Sequence, residues 1–166
     1  PGAGFMDLAD LTDSNSDIDN MLPPAEKFAS RMQSLGLGDG SRIVIYDDSP
    51  LKSAARAWWM LTIFGAHEVA ILDGGIAKWK AEDRALETGK EALRHRHFTV
   101  WKDDKDVRTK ADMLANLHSK DEQVVDARPA DRFTGETPDP RGDLSSGHIP
   151  GSVNIPHSRF FNADGT

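Results

Sequence analysis

The segment Val124-Val125-Asp126-Ala127-Arg128-Pro129-Ala130-Asp131-Arg132-Phe133, followed by Gly147-His148-Ile149-Pro150-Gly151-Ser152 and Asn154-Ile155-Pro156, constrains the fold most. A β-branched run ending in Asp-Ala-Arg reads as a buried strand. A Pro-Gly turn then opens a second short strand, and the long loop between them carries Arg128, Arg132 and Arg141. A related rhythm occurs earlier in the chain. Arg42-Ile43-Val44-Ile45-Tyr46 is an apolar strand that Asp47-Asp48-Ser49-Pro50 interrupts, and Ser53 to Phe64 fits a helix ending at Gly65. Val69-Ala70-Ile71-Leu72 is the next strand, Asp73-Gly74-Gly75 a turn, and Ile76 to Ala81 a short helix. Strand, helix, strand, helix with compact turns predicts an α/β fold, a parallel sheet flanked by helices.

Other elements follow from local chemistry. Met21-Leu22-Pro23-Pro24 leads into a helix on which Phe28, Met32 and Leu35 share a face, and Gly36 or Gly38 suits its C-terminal cap. Residues 82–105 are charged and lack an apolar period, so they read as a linker with one edge-strand candidate, Phe98-Thr99-Val100-Trp101. Thr109 with Asp112 three residues on forms a capping box for a helix through Leu117. The predicted division is a first domain at 1–85, a linker at 86–108 and the start of a second domain at 109–166. Pro1-Gly2-Ala3 and Pro150-Gly151-Ser152 lie 149 residues apart, which suggests an internal repeat.

Composition excludes several function classes. The formal net charge of −7 leaves no basic stripe for nucleic acid. Apolar runs are too short to span a bilayer, so no membrane partner is expected and cytoplasm is the default location. With Cys 0, there are no disulfides and no thiolate metal sites. Asp13-x-Asn15-x-Asp17 imitates the start of a calcium loop, but Ile18 and Pro24 occupy the places that need Gly and an acidic ligand. His95 and His97 have no third partner, and Gly36-x-Gly38-x-Gly40 lies after a helix rather than after a strand. No metal and no cofactor are expected.

The motifs at 124–133 and 147–156 resemble the opening of the catalytic half of a two-domain rhodanese-family sulfurtransferase. Met21-Leu22-Pro23, Ile45-Tyr46-Asp47, Ser53 to Met60 and Leu72-Asp73-Gly74-Gly75 resemble its inert first half. The resemblance implies transfer of sulfane sulfur from a small anionic donor, 3-mercaptopyruvate or thiosulfate, to cyanide or a thiol through a cysteine persulfide. By motif match, Arg132 corresponds to the family's donor-binding arginine. Arg141, closing Pro138-Asp139-Pro140-Arg141, resembles a second arginine of the mercaptopyruvate branch that clamps the donor carboxylate. No catalytic residue is expected in this chain, because the nucleophilic cysteine is absent, and on its own it is predicted to be inactive. The branch often has a His before Met-Leu-Pro and a partnering Asp. Asn20 and Ala9 stand there, so a Ser-His-Asp proton relay is not expected.

Each reading has a plainer competitor. The arginines could be solvated loop charges paired with Asp131, Glu136 or Asp139. His148 is expected to tie its loop to backbone rather than act as a base. Trp58, Trp59 and Trp79 are expected in core and interdomain packing. Asp47 and Asp48 occupy the place of a catalytic loop in the first domain, where two carboxylates would repel an anionic donor and raise a thiolate's pKa. The alternative function is a cysteine-less rhodanese-like module that binds or regulates. The chain is expected to be a fragment whose strand Gln123–Ala127 fills the place of a missing first-domain strand, by permutation or in a strand-swapped homodimer.

Overall fold

The computed structural model describes residues 2–89, 92–140, 142 and 144–166. It divides into two compact units, Pro1–Asp106 and Val107–Thr166. In the first unit, α1 (Ala25–Ser34) precedes β1 (Arg42–Ile45), followed by α2 (Ala54–Ile63), β2 (Glu68–Ile71) and α3 (Gly75–Ala81). β1 and β2 pair in parallel, with Ile43 opposite Val69 and Ile45 opposite Ile71. The crossover is α2, the most apolar helix, which buries Ala54, Ala57, Met60, Leu61 and Ile63. α1 contributes Phe28 and Met32 to the same core.

Three phenylalanines hold that core together. Phe28 stacks on Phe64 with ring centroids 4.1 Å apart, and Phe98 meets Phe28 edge-on at 5.9 Å. Such pairs add to the apolar burial of large rings. Phe98 belongs to the segment expected to be a linker. Instead of running free, that segment straps the first unit. Thr99 donates through N and Oγ1 to the Asp39 carboxylate, Trp101 N donates to Phe64 O at 3.2 Å, and Asp103 N to Ile63 O at 3.0 Å. Residues 98–101 are not a strand: Phe98 O and Thr99 N bond side chains, and Trp101 N bonds the end of α2, so none of the three joins a ladder. The charged composition of 82–105 concealed one anchoring ring. The close approach needs Gly38, where a Cβ would lie 2.7 Å from the His97 carbonyl oxygen. Gly36 caps α1 at φ +72, as its sequence position suggests.

The tryptophans are not in the core. Trp58 is exposed and donates Nε1–H to Val69 O at 3.1 Å, while Trp79 donates to Ala85 O at 2.9 Å. Arg56 and Arg84 lie over the rings of Trp59 and Trp79.

The second unit contains α4 (Lys110–Ser119), β3 (Val125–Asp126), α5 (Ala130–Thr134) and β4 (Val153–Asn154). The capping box on α4 is present: Thr109 Oγ1 accepts from Asp112 N and Thr109 N donates to Asp112 Oδ2. Thr109 holds the Asp112 carboxyl below its usual range, chiefly through its side-chain hydrogen bond. β3 pairs in parallel with β4, Val125 opposite Val153, in a sheet separate from β1–β2.

This pairing overturns the strand-filling expectation. Residues 123–127 do not join the first sheet, and the permuted or strand-swapped completion is withdrawn. The physical reason is local. Val153 N donates to Val124 O and Ile155 N to Asp126 O, so one edge of this strand is taken by the next strand of its own unit. In the first unit, β1 has β2 as its one ladder partner among the described residues. Val44 of β1 and Tyr46 just after it line an open groove of about 580 Å³ with Leu72, Ile76 and Trp79. The expectation that β3 is buried also fails, since Val125 is 51% and Val153 43% exposed.

The aromatic cluster should dominate the stability of the first unit. Phe28→Ala is expected to cost about 3–5 kcal/mol, the range for emptying a fully buried aromatic site. A urea midpoint unchanged from wild type would exclude that role.

Candidate anion site on the loop between β3 and β4

β3 ends at Asp126, and the site begins there. Arg128 turns back on Asp126 through four contacts: N to Oδ1 at 2.9 Å, Nε to Oδ1 and to Oδ2, both at 3.0 Å, and Nη2 to Oδ2 at 2.6 Å. The same Nη2 donates to Gly147 O at 2.7 Å, joining the start of the loop to its end. Hydrogen bonding from the Arg128 side chain holds the Asp126 carboxyl below its usual range. Asn154 closes the crossing from β4, its amide donating to Asp126 O and Arg128 O, both at 2.9 Å. Arg128 therefore belongs to the scaffold.

Pro129 starts α5, matching the preference for proline at helix entry. This turn of helix lies inside the stretch expected to be loop, and its five residues are too few for a periodicity to be read. It places Asp131 and Arg132 on a rigid element. Gly135, at φ +85, reverses the chain, and a Cβ there would approach Gly147 N to 3.3 Å. The returning strand of loop is stapled to α5 by Thr137, whose N donates to Asp131 O at 3.1 Å and whose Oγ1 donates to Asp131 Oδ2 at 2.6 Å. The Thr137 hydroxyl is the largest cause lowering the Asp131 pKa.

The reversal brings Asp139 onto Arg132. Arg132 Nη2 donates to Asp139 Oδ2, with the two side chains 23% and 4% exposed. Arg132 Nε is buried and has no hydrogen-bond partner among the described residues. The sequence offered Asp139 only as one of three possible charge partners of the loop arginines, and the structure pairs it with Arg132 as a buried carboxylate. The signal available was its placement between Pro138 and Pro140, which restricts the backbone on either side. Arg141 lies outside the described residues.

His148 behaves as its sequence context suggests. Its ring stacks on Phe133 with centroids 3.7 Å apart, and Nδ1 lies 2.7 Å from Phe133 O. In the first unit, the Asp47 carboxylate accepts from Ser53 Oγ at 2.8 Å and Ala54 N at 3.0 Å, so it serves the start of α2. Asn20 adopts φ +61 and its carbonyl accepts from Arg56.

A rhodanese-like domain model matches residues 1–82 and 109–165. The chain belongs to the rhodanese-like family. It is 43% identical over 167 residues to 3-mercaptopyruvate sulfurtransferase of Rattus norvegicus, covering 99% of this chain and 56% of the relative. Identity to the Escherichia coli K12 enzyme of the same name is 42% over 156 residues, covering 94% and 56%. Thiosulfate sulfurtransferase of Gallus gallus is 38% identical over 167 residues, covering 99% and 57%. The crystal structure of SseA from Escherichia coli, a 3-mercaptopyruvate sulfotransferase with the rhodanese fold, aligns with TM-score 0.87 at 40% identity, covering 98% of this chain and 60% of SseA. The chain thus spans a little over half the length of the curated relatives it matches. The rhodanese-like fold expected from the sequence holds, in the form of two small parallel sheets flanked by helices.

The Asp126–Arg128 pair predicts a pH dependence. The folded-state pKa of Asp126 lies below its unfolded value, so the stabilisation is complete at neutral pH and is lost as pH falls through the folded pKa, below the ordinary aspartate value of about 3.9. Asp126→Asn should lower the urea midpoint of the second unit at neutral pH, and the deficit should shrink on acidification. A deficit that stays constant down to about pH 2 would show that the charge is not responsible.

Proposed function

We propose that these residues form the inert half and the donor-binding start of the catalytic half of a two-domain sulfurtransferase. In this reading the longer protein moves sulfane sulfur from 3-mercaptopyruvate, or less readily thiosulfate, to a thiol or cyanide. The observation that carries the proposal is Arg132: an arginine seated on a short helix, held at one nitrogen by a buried carboxylate, and still partly open to solvent. A planar guanidinium in that state suits an anionic donor, above all a carboxylate. The relatives named 3-mercaptopyruvate sulfurtransferase support the donor class. Arg141 is the second donor-binding residue in this proposal, nine positions on in the same loop.

The nucleophile is a cysteine of the longer protein, since this chain has Cys 0. Its thiolate takes the donor sulfur as the C–S bond of mercaptopyruvate breaks, and pyruvate leaves once protonated at carbon. The acceptor thiolate or cyanide then attacks the outer sulfur of the persulfide and frees the cysteine thiolate. The residues described here bind and orient the donor and do not take part in bond making. The repeat of two related halves and a cytoplasmic location belong to the same proposal. The absence of cysteine also favours a second reading, a module that binds without catalysis.

Sulfur transfer to cyanide should be compared between this chain and a version extended in both directions along its reading frame, with both donors. The expected result is turnover in the extended protein alone, with mercaptopyruvate preferred. Arg141→Ala should then lower kcat/KM for mercaptopyruvate by about tenfold or more and that for thiosulfate much less, as loss of a charge-assisted carboxylate contact requires. An extension that brings neither cysteine nor activity would reject the enzyme and favour the binding module.

A further inference from the structure

We infer that Asp139 is a positioning residue for Arg132, aiming its guanidinium at the donor. The inference rests on the reading of Arg132 as a donor-binding group and adds a residue to it. Three observations converge. The Asp139 side chain is only 4% exposed, and a buried carboxylate is costly without a cationic partner. Arg132 supplies one such partner through Nη2. The approach is built in several steps: α5 carries Arg132, the left-handed turn at Gly135 reverses the chain, Thr137 is stapled twice to Asp131, and two prolines bracket the acid.

Electrostatics alone argues against an acid in this place. A carboxylate beside an anion-binding arginine weakens the field that the anion feels, so its removal should tighten binding. Orientation acts in the opposite sense. Bidentate recognition requires the guanidinium plane to be held, and an arginine side chain left to itself samples many rotamers. Arg132 Nε adds to this requirement, because it is enclosed with no hydrogen-bond partner among the described residues. The plane is therefore not held from that side, and Asp139 provides the restraint. The sign of the change on removing the charge separates the two roles.

The test uses the extended protein with mercaptopyruvate as the probe, and compares Asp139→Asn, Asp139→Ala, Arg132→Lys and the Asp139→Asn/Arg132→Lys pair. Asn keeps an acceptor oxygen and should raise KM by about threefold. Ala removes the acceptor and should raise it about tenfold, in both cases with kcat little changed, the signature of lost ground-state orientation. In the Arg132→Lys background, which already lacks the planar fork, Asp139→Asn should add nothing further. A lower KM in Asp139→Asn would overturn the inference by making Asp139 a mere counter-charge. An equal factor in both backgrounds would overturn it by making Asp139 act independently of Arg132. If Asp139→Ala does not fold, the Asn variant and the double-mutant comparison still decide the sign and the coupling. An unchanged KM in Arg132→Lys, or an inactive extended protein, would reject the donor-site reading itself and this inference with it.

Discussion

The geometry of the second unit hangs on the Asp126 carboxylate. It receives the backbone and side chain of Arg128, while its own carbonyl receives Ile155 N and the Asn154 amide. Arg128 carries the connection on to Gly147. One residue therefore joins the end of β3, the start of the loop, the far end of the loop and β4. Charge-assisted hydrogen bonds of this kind are strong when partly desolvated, and the partners here are mostly enclosed. α5, and with it Arg132, is aimed from this anchor.

The first unit is organised on another principle. Its buried side chains are aromatic and aliphatic, gathered from Leu11, α1, β1, α2 with Phe64 after it, and Phe98 of the strap. In the second unit no apolar side chain among the described residues is buried, and the buried group is the carboxylate of Asp139. Packing in one unit and polar contacts in the other do equivalent work. The polar unit carries the candidate site, as expected where orientation of charge matters more than burial of surface.

Elements with a strong local signature were legible in the sequence. β1 and β2 are apolar runs bounded by Asp-Asp-Ser-Pro and Asp-Gly-Gly, the capping box announces α4, and the Pro-Gly turn announces β4. The role of His148 followed from its place before Ile-Pro-Gly. What escaped depends on contacts between residues distant in sequence. Phe98 lies in a charged stretch, and only its meeting with Phe28, 70 positions away, turns that stretch into part of a core. The backbone of β3 is claimed by β4, a choice that the similarity between the chain's two Pro-Gly segments does not reveal. Asp139 stood in the sequence as one of three possible partners of the loop arginines, and the choice among them depends on the reversal at Gly135, which spacing alone does not specify.

A scaffold built from ion pairs responds to its solvent differently from one built from rings. Dissolved salt screens charges over a Debye length of about 8–10 Å at ordinary ionic strength, whereas urea carries no charge and acts on apolar and peptide surface. Guanidinium chloride combines both actions. The enclosed clasp around Asp126 feels that screening less than a surface pair such as Arg42–Glu68 does, and the stacked phenylalanines carry no charge to screen. The two halves of the molecule thus have separate vulnerabilities: the ionic part of such an attack bears on the arginine loop, and the hydrocarbon-solvating part on the aromatic core.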